Sequence, residues 1–105
     1  MDITYFFNDG ILDINVSGEL DEHSAYLMRT TIDNIIDSYV DKGPINVNID
    51  LSQISFMDST GIGVLLGRYK KFANKNVIIN LKNPSKNADK ILKMAGIYEI
   101  MPKVS

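Results

Sequence analysis

The feature that most narrows the possible fold is a repeated change in apolar spacing. INVNIDL (45–51) alternates without a break, setting Ile45, Val47, Ile49 and Leu51 against Asn46, Asn48 and Asp50, which is the period of a strand with at least one buried face. Before it, Ala25, Met28, Ile32, Ile35, Ile36 and Tyr39 recur at three and four, predicting a helix with Asp21 as its N-cap and Gly43-Pro44 as its stop. After it, and after a short loop, GIGVLLGRYKKFA puts Ile62, Leu65, Leu66, Tyr69 and Phe72 at helical spacing. ITYFF (3–7) and ILDINVSGEL (11–20) read as a hairpin around the turn Asn8-Asp9-Gly10, and VIINL (77–81) is a further β-type segment. Asn83-Pro84-Ser85 then opens a helix with Ile91, Leu92 and Ala95 as its apolar stripe and Gly96 as its end. The order is ββαβαβα. Strands joined through helices pair in parallel by right-handed crossovers, so the expected fold is α/β. It comprises one domain over 1–105, with a mixed β-sheet, an N-terminal hairpin, parallel βαβ units and helices packed on the sheet.

Composition removes several kinds of function. Folding a chain of 105 residues withdraws roughly 60–65% of its surface from water, which supplies one core but no deep enclosed active site. Cysteine is absent and His23 is the only histidine, so disulfides, thiol chemistry and imidazole or thiolate metal sites drop out, and neither a metal nor another cofactor is expected. MDITYFFNDG has no basic leader region and no apolar run approaches the ~20 residues of a membrane span, which makes the cytosol the expected location. The net charge of −2 argues against nucleic acid as a partner. Charge is nonetheless lopsided, −8 over residues 1–41 and +6 over 42–105, which reads either as pairing within the fold or as a basic docking face.

The stretch SFMDSTGIGVLLGRYK (55–70) carries the most information. Asp58, Ser59 and Thr60 are all good N-cap residues, yet Gly61 and Gly63 follow within the first helical turn, where each costs about 1 kcal/mol relative to alanine. Either this is a tight strand-to-helix turn with ordinary capping, or something approaches the backbone closely there, at the end of a sheet strand where open α/β sheets bind partners. Phosphate-loop chemistry does not fit, because GIGVLLGRYK lacks a Ser or Thr after its lysine and the glycines run GxGxxxG rather than GxGxxG. Nucleophilic catalysis at Ser59 would need a general base, and His23 lies in the acidic run Asp21-Glu22-His23 of another loop. An enzyme is not expected.

That segment, together with GELD (18–21) just ahead of the first helix, resembles the anti-sigma factor antagonists of the STAS domain family, of the sporulation and general-stress type. The likeness covers essentially the whole chain in element order, although the connection FANKNVII is shorter than usual in the family and the sequence ends with EIMPKVS. The resemblance implies a binding module for an anti-sigma factor serine kinase of the GHKL type, which frees a sigma factor. Phosphorylation by that kinase would switch it off, and a metal-dependent Ser/Thr phosphatase would restore it. It implies a cytoplasmic monomer that engages neither nucleic acid nor membrane. The serine after Met-Asp is the family's phosphorylation site, here Ser59, with Thr60 read as a helix-start residue. Partner contacts would come from Glu19, Asp21, Asp58, Ser59, Thr60, Gly61, Ile62 and Gly63, with the two glycines read as a flat surface and the carboxylates offered to a basic partner. The alternative is a STAS-type structural subunit of a stress-signalling scaffold, or a cytosolic partner of a transporter.

Two other features have plainer readings. Lys86, Lys90 and Lys93 lie opposite the apolar stripe of the last helix, as a solvated face would, and His23 beside two acids is read as an exposed cap neighbour.

Overall fold

The computed structural model describes residues 1–105. In chain order the elements are β1 (Asp2–Asn8), β2 (Ile11–Leu20), α1 (Ala25–Asp37), β3 (Ile45–Met57), α2 (Ser59–Phe72), β4 (Val77–Lys82), α3 (Lys86–Met94) and β5 (Lys103–Val104), with short 3-10 turns at Val40–Lys42 and Ile97–Glu99. The strands lie side by side in sequence order, β1 antiparallel to β2 and every later neighbour parallel. The hairpin turns through Asp9 and Gly10, both at positive φ.

All three helices serve one face of the sheet. In register, Phe7, Leu12, Val47 and Ile79 form one row across the strands and Tyr5, Ile14, Ile49 and Leu81 the next, and β2 and β3 contribute fully buried side chains to both. Met28, Ile32, Ile35 and Ile36 from α1, Val64, Leu65 and Phe72 from α2, and Ala88 and Leu92 from α3 complete a single core cluster. The other face of the sheet is open. There the polar positions of the alternating strands form a chain of hydrogen bonds, Asn80 Nδ2 to Asn48 Oδ1 at 3.1 Å and Asn48 Nδ2 to Asp13 Oδ1 at 3.2 Å, with Lys82 3.7 Å from Asp13. Parallel strands are usually covered on both faces, and this ladder is what lets these three stand in water on one.

Several elements differ from the sequence expectations. Strand β3 does not stop at Leu51 but runs on to Met57, and the expected short loop is a single residue, Asp58. Pairing slips by one residue twice, once between Asn15 and Ser17 of β2 and once between Gly18 and Glu19, so β3 holds two extra residues. Those bulges break the alternation that marks a strand in the sequence, and they bend β3 where it approaches α2. Helix α1 begins at Ala25 with Ser24 as N-cap, not at Asp21. Asp21 Oδ1 instead accepts from the backbone N–H groups of His23 at 2.9 Å and Ser24 at 3.2 Å, capping a separate turn, while the Ser24 hydroxyl donates to the Glu19 carbonyl at 2.7 Å. The same helix ends at Asp37, and the 3-10 turn fills the distance to Gly43.

The buried face of α2 is also rotated from the expected stripe. Gly61, Val64, Leu65, Arg68 and Phe72 point inward, whereas Ile62 and Leu66 are half-buried and Tyr69 is exposed. Arg68, only 6% exposed, places its Nε 2.7 Å from Asp33 Oδ1 of α1, although the N–H is poorly aligned with that oxygen. Lys71 holds the other Asp33 oxygen at 3.1 Å. Burial pulls the Arg68 pKa down and Asp33 opposes it. These contacts, with Lys82 on Asp13, join the acidic first part of the chain to the basic remainder, as the pairing reading of the charge asymmetry requires.

Helix α3 buries Ala88 and Leu92, with Ile91 at the margin and Ala95 exposed, and it ends at Gly96 in the left-handed conformation (φ 68°). Strand β5, too short to leave a pattern in the sequence, closes the far edge by pairing with Leu81 and Lys82. Asp89 ties this end together, accepting from the Tyr98 hydroxyl at 2.6 Å and lying 3.0 Å from Lys93 and 3.1 Å from Lys103. Its carboxyl is held well below the usual range, chiefly by the Tyr98 hydrogen bond and then by the two lysines.

Candidate functional site

Parallel pairing sets Glu19 beside Phe56 and Leu20 beside Met57, so the two sequence motifs meet at one end of the sheet. The Asp58 N–H reaches the Leu20 carbonyl at 3.4 Å, which holds the β3–α2 junction against the loop that follows β2. Asp58 is extended (φ −123°, ψ −169°) and its Oδ1 accepts from the Thr60 N–H at 2.9 Å, a side-chain N-cap. Ser59 is therefore the first residue of a 14-residue helix and is exposed, whereas Thr60 and Ile62 are half-buried and Gly63 is exposed.

Gly61 is not part of that surface. It is buried, and a Cβ there would lie 2.8 Å from Met57 Cγ and 2.9 Å from Leu20 Cγ, so the glycine exists to let α2 sit close on the ends of β2 and β3. The reading of Gly61 as a flat contact for a partner is thus corrected. Gly63 has nothing within 4 Å of its missing Cβ and remains a bare stretch of helix backbone facing water. The two glycines have opposite jobs.

The surroundings are acidic. Glu19 and Glu22 are exposed, Asp21 and Asp58 half-buried, and a groove of about 450 Å³ beside them is lined by Met1, Glu19, Asp21, His23, Ser24 and Leu27. His23 reaches only Glu22, at 3.8 Å, and sits in solvent. No group of three or more His, Cys, Asp or Glu side chains is placed to hold a metal ion. What the arrangement offers is an exposed hydroxyl on a helix N-terminus next to the capping Asp58 carboxylate, at the end of the sheet where Glu19, Asp21 and several apolar side chains also lie.

Sequence reasoning missed one of those, Phe56, which is 47% exposed and stands next to Glu19 across the strand pair. The carbonyl of its neighbour Ser55 accepts from Asn87 Nδ2 at 2.7 Å, and the Ser85 hydroxyl donates to the Ile54 carbonyl at 2.7 Å, so the start of α3 covers β3 where β4 has ended. An aromatic residue interrupting a strand pattern is the one signal that marked this position. The lysines of α3 share no geometry with Ser59: Lys86 and Lys90 are exposed along the helix and Lys93 is paired with Asp89.

The STAS domain family model matches residues 3–105. Over 93 residues the chain is 33% identical to the anti-sigma F factor antagonist of Paenibacillus polymyxa, covering 89% of this chain and 77% of that protein. It is 28% identical over 94 residues to the anti-sigma-B factor antagonist of Bacillus subtilis, covering 90% and 82%. Among solved structures it is similar to the anti-sigma factor antagonist SpoIIAA in its unphosphorylated form, with 25% identity, a TM-score of 0.69, and 99% and 89% of the two chains covered. The fold also matches the phosphorylated form of the Bacillus SpoIIAA, with 24% identity, a TM-score of 0.67, and 99% and 92% covered.

Proposed function

The chain belongs to the STAS domain family, and from that premise we propose that it is an anti-sigma factor antagonist switched by phosphorylation of Ser59. In this reading the unphosphorylated protein binds an anti-sigma factor that is also a serine kinase of the GHKL type, freeing a sigma factor in the cytoplasm. The kinase turns it off by modifying Ser59, and a metal-dependent Ser/Thr phosphatase turns it back on. The chain itself catalyses nothing. The observation that carries this is the position of Ser59, exposed as the first residue of α2 and preceded by the capping Asp58.

That position separates folding from binding. A phosphate on Ser59 meets the unpaired N–H groups and positive end of α2, worth about 0.3–1 kcal/mol in its favour, so the domain keeps its structure. The same phosphate adds about −1.5 to −2 charges next to Asp58, at the end of the sheet that also carries Glu19 and Asp21. A partner complementary to this end in its unmodified state, with basic groups near the carboxylates and a close-packed surface over Ser59, Ile62 and Gly63, has no counter-charge for it. An unmatched charge inside an interface costs about 3–5 kcal/mol, enough to release the partner. SpoIIAA, which has been solved in both unphosphorylated and phosphorylated forms, supports the idea that this fold survives the modification.

The test is phosphorylation with ATP and Mg²⁺ in the presence and absence of an anti-sigma factor serine kinase of the GHKL type. The expected result is no self-labelling, one phosphate on the peptide containing Ser59 when the kinase is added, and none on Ser59→Ala, which still binds. A label that persists on Ser59→Ala, at Thr60 for instance, overturns the site. Ser59→Asp should bind roughly 10- to 150-fold more weakly while melting within a few degrees of wild type. A variant that binds normally but melts far lower would mean that the switch works by unfolding.

A further inference from the structure

We propose that this chain forms a weak, closed dimer with a second copy of itself through the outer edge of β1. The inference is independent of the phosphorylation switch, and it departs from the monomer that the family resemblance implies.

Strand β1 is at the end of the sheet and its only strand partner is β2. Alternate N–H and C=O groups along its seven residues therefore face outward without a ladder partner. Proteins normally blunt such an edge with lysine, proline, a bulge or extreme shortness. The opposite edge of this sheet shows those devices: β5 is two residues long, follows Pro102, carries Lys103, and leaves only residues 77–80 of β4 uncovered. β1 shows none of them. Its pairing with β2 runs in unbroken register from Asp2 to Asn8, and between Asp2 and Asp9 it reads ITYFFN, with neither charge nor proline.

The edge is also self-complementary. An antiparallel pair of β1 strands related by a two-fold axis at Tyr5 sets Tyr5 against Tyr5, Ile3 against Phe7, Thr4 against Phe6 and Asp2 against Asn8. Every opposed pair then lies on one common face, as antiparallel pairing requires. No two like charges meet. Ile3 and Phe7 add to the helix-covered face, where Phe7 already stacks on Tyr39 with ring centroids 4.3 Å apart. Phe6, 66% exposed on the open face, gains the Thr4 of the second copy as cover. Both copies use the same edge, so the assembly closes at two and does not grow into a filament. A single strand pair buries less than the ~1,200 Å² of a standard interface, so the dimer is weak.

Sedimentation equilibrium of the full chain from about 10 μM to 1 mM spans the dissociation constants expected of so small a contact. The mass should rise from 11.8 kDa toward twice that value and no further. Tyr5→Lys puts two like charges face to face on the axis and should weaken association at least about 10-fold, with far-UV circular dichroism reporting that the fold is kept. If Tyr5→Lys does not fold, Thr4→Lys, at an exposed position on the open face, replaces it: it sets a charge against Phe6 of the second copy on both sides of the axis, removing that residue's cover, and should weaken association in the same direction. Outward amides between Ile3 and Phe7 should exchange more slowly at high concentration than at low. A constant 11.8 kDa across the range overturns the proposal. So does a mass beyond the dimer, or a dimer untouched by the lysine variant that folds.

Discussion

Gly61→Ala and Gly63→Ala, two residues apart on the same helix, should move stability in opposite directions. Helix propensity alone favours both changes, by about 1 kcal/mol each. At Gly63 nothing lies within 4 Å of the new methyl, so most of that gain should be realised. At Gly61 the methyl would stand 2.8 Å from Met57 Cγ and 2.9 Å from Leu20 Cγ, and Leu20 is fully buried with no room to retreat. Overpacking of this kind costs about 1–3 kcal/mol, and two simultaneous contacts below 3 Å put it in the upper half of that range, leaving a net loss of about 1–2 kcal/mol. With an unfolding entropy of about 2.1 cal/mol/K per residue, a chain of 105 residues shifts about 4–5 °C per kcal/mol. Differential scanning calorimetry should therefore find Gly61→Ala melting about 4–9 °C below wild type and Gly63→Ala about 2–5 °C above it. If Gly61→Ala melts at or above Gly63→Ala, the close seat of α2 on Leu20 and Met57 is wrong, and with it the assignment of Gly61 to packing instead of recognition.

Two further perturbations test other parts of the structure. Asp33→Asn leaves the Arg68 guanidinium buried without its counter-charge and should cost about 3 kcal/mol in urea unfolding, whereas Asp33→Leu combined with Arg68→Met should recover most of that loss; equal losses in both would deny the pair its role. Asp89, whose pKa is depressed in the folded chain, contributes stability that is present above the ordinary aspartate pKa of about 4 and is lost as pH falls through that value toward its own. Asp89→Asn should thus melt below wild type at pH 7, with the gap narrowing at lower pH; a gap independent of pH would remove the carboxylate from the account.

Most strand and helix segments, their order and the segment in which a switch at Ser59 is proposed were legible in the amino-acid sequence because each rests on local information. Alternation in INVNIDL and the three-and-four spacing of Met28, Ile32 and Ile35 follow from side-chain geometry within one element, and the motif MDSTG is contiguous. What lay beyond reach depends on neighbours distant in sequence. The two bulges that carry β3 on to Met57 exist only relative to β2, and without that partner their residues look like a loop. The inward side of α2 was misjudged because Arg68 is buried, and a charged residue takes an inward position only when something like Asp33, 35 residues earlier on another helix, waits there. Gly61 and Gly63 are the clearest case. As letters in a helix they are equivalent, and only the approach of Leu20 and Met57 decides that one is filled space and the other open surface.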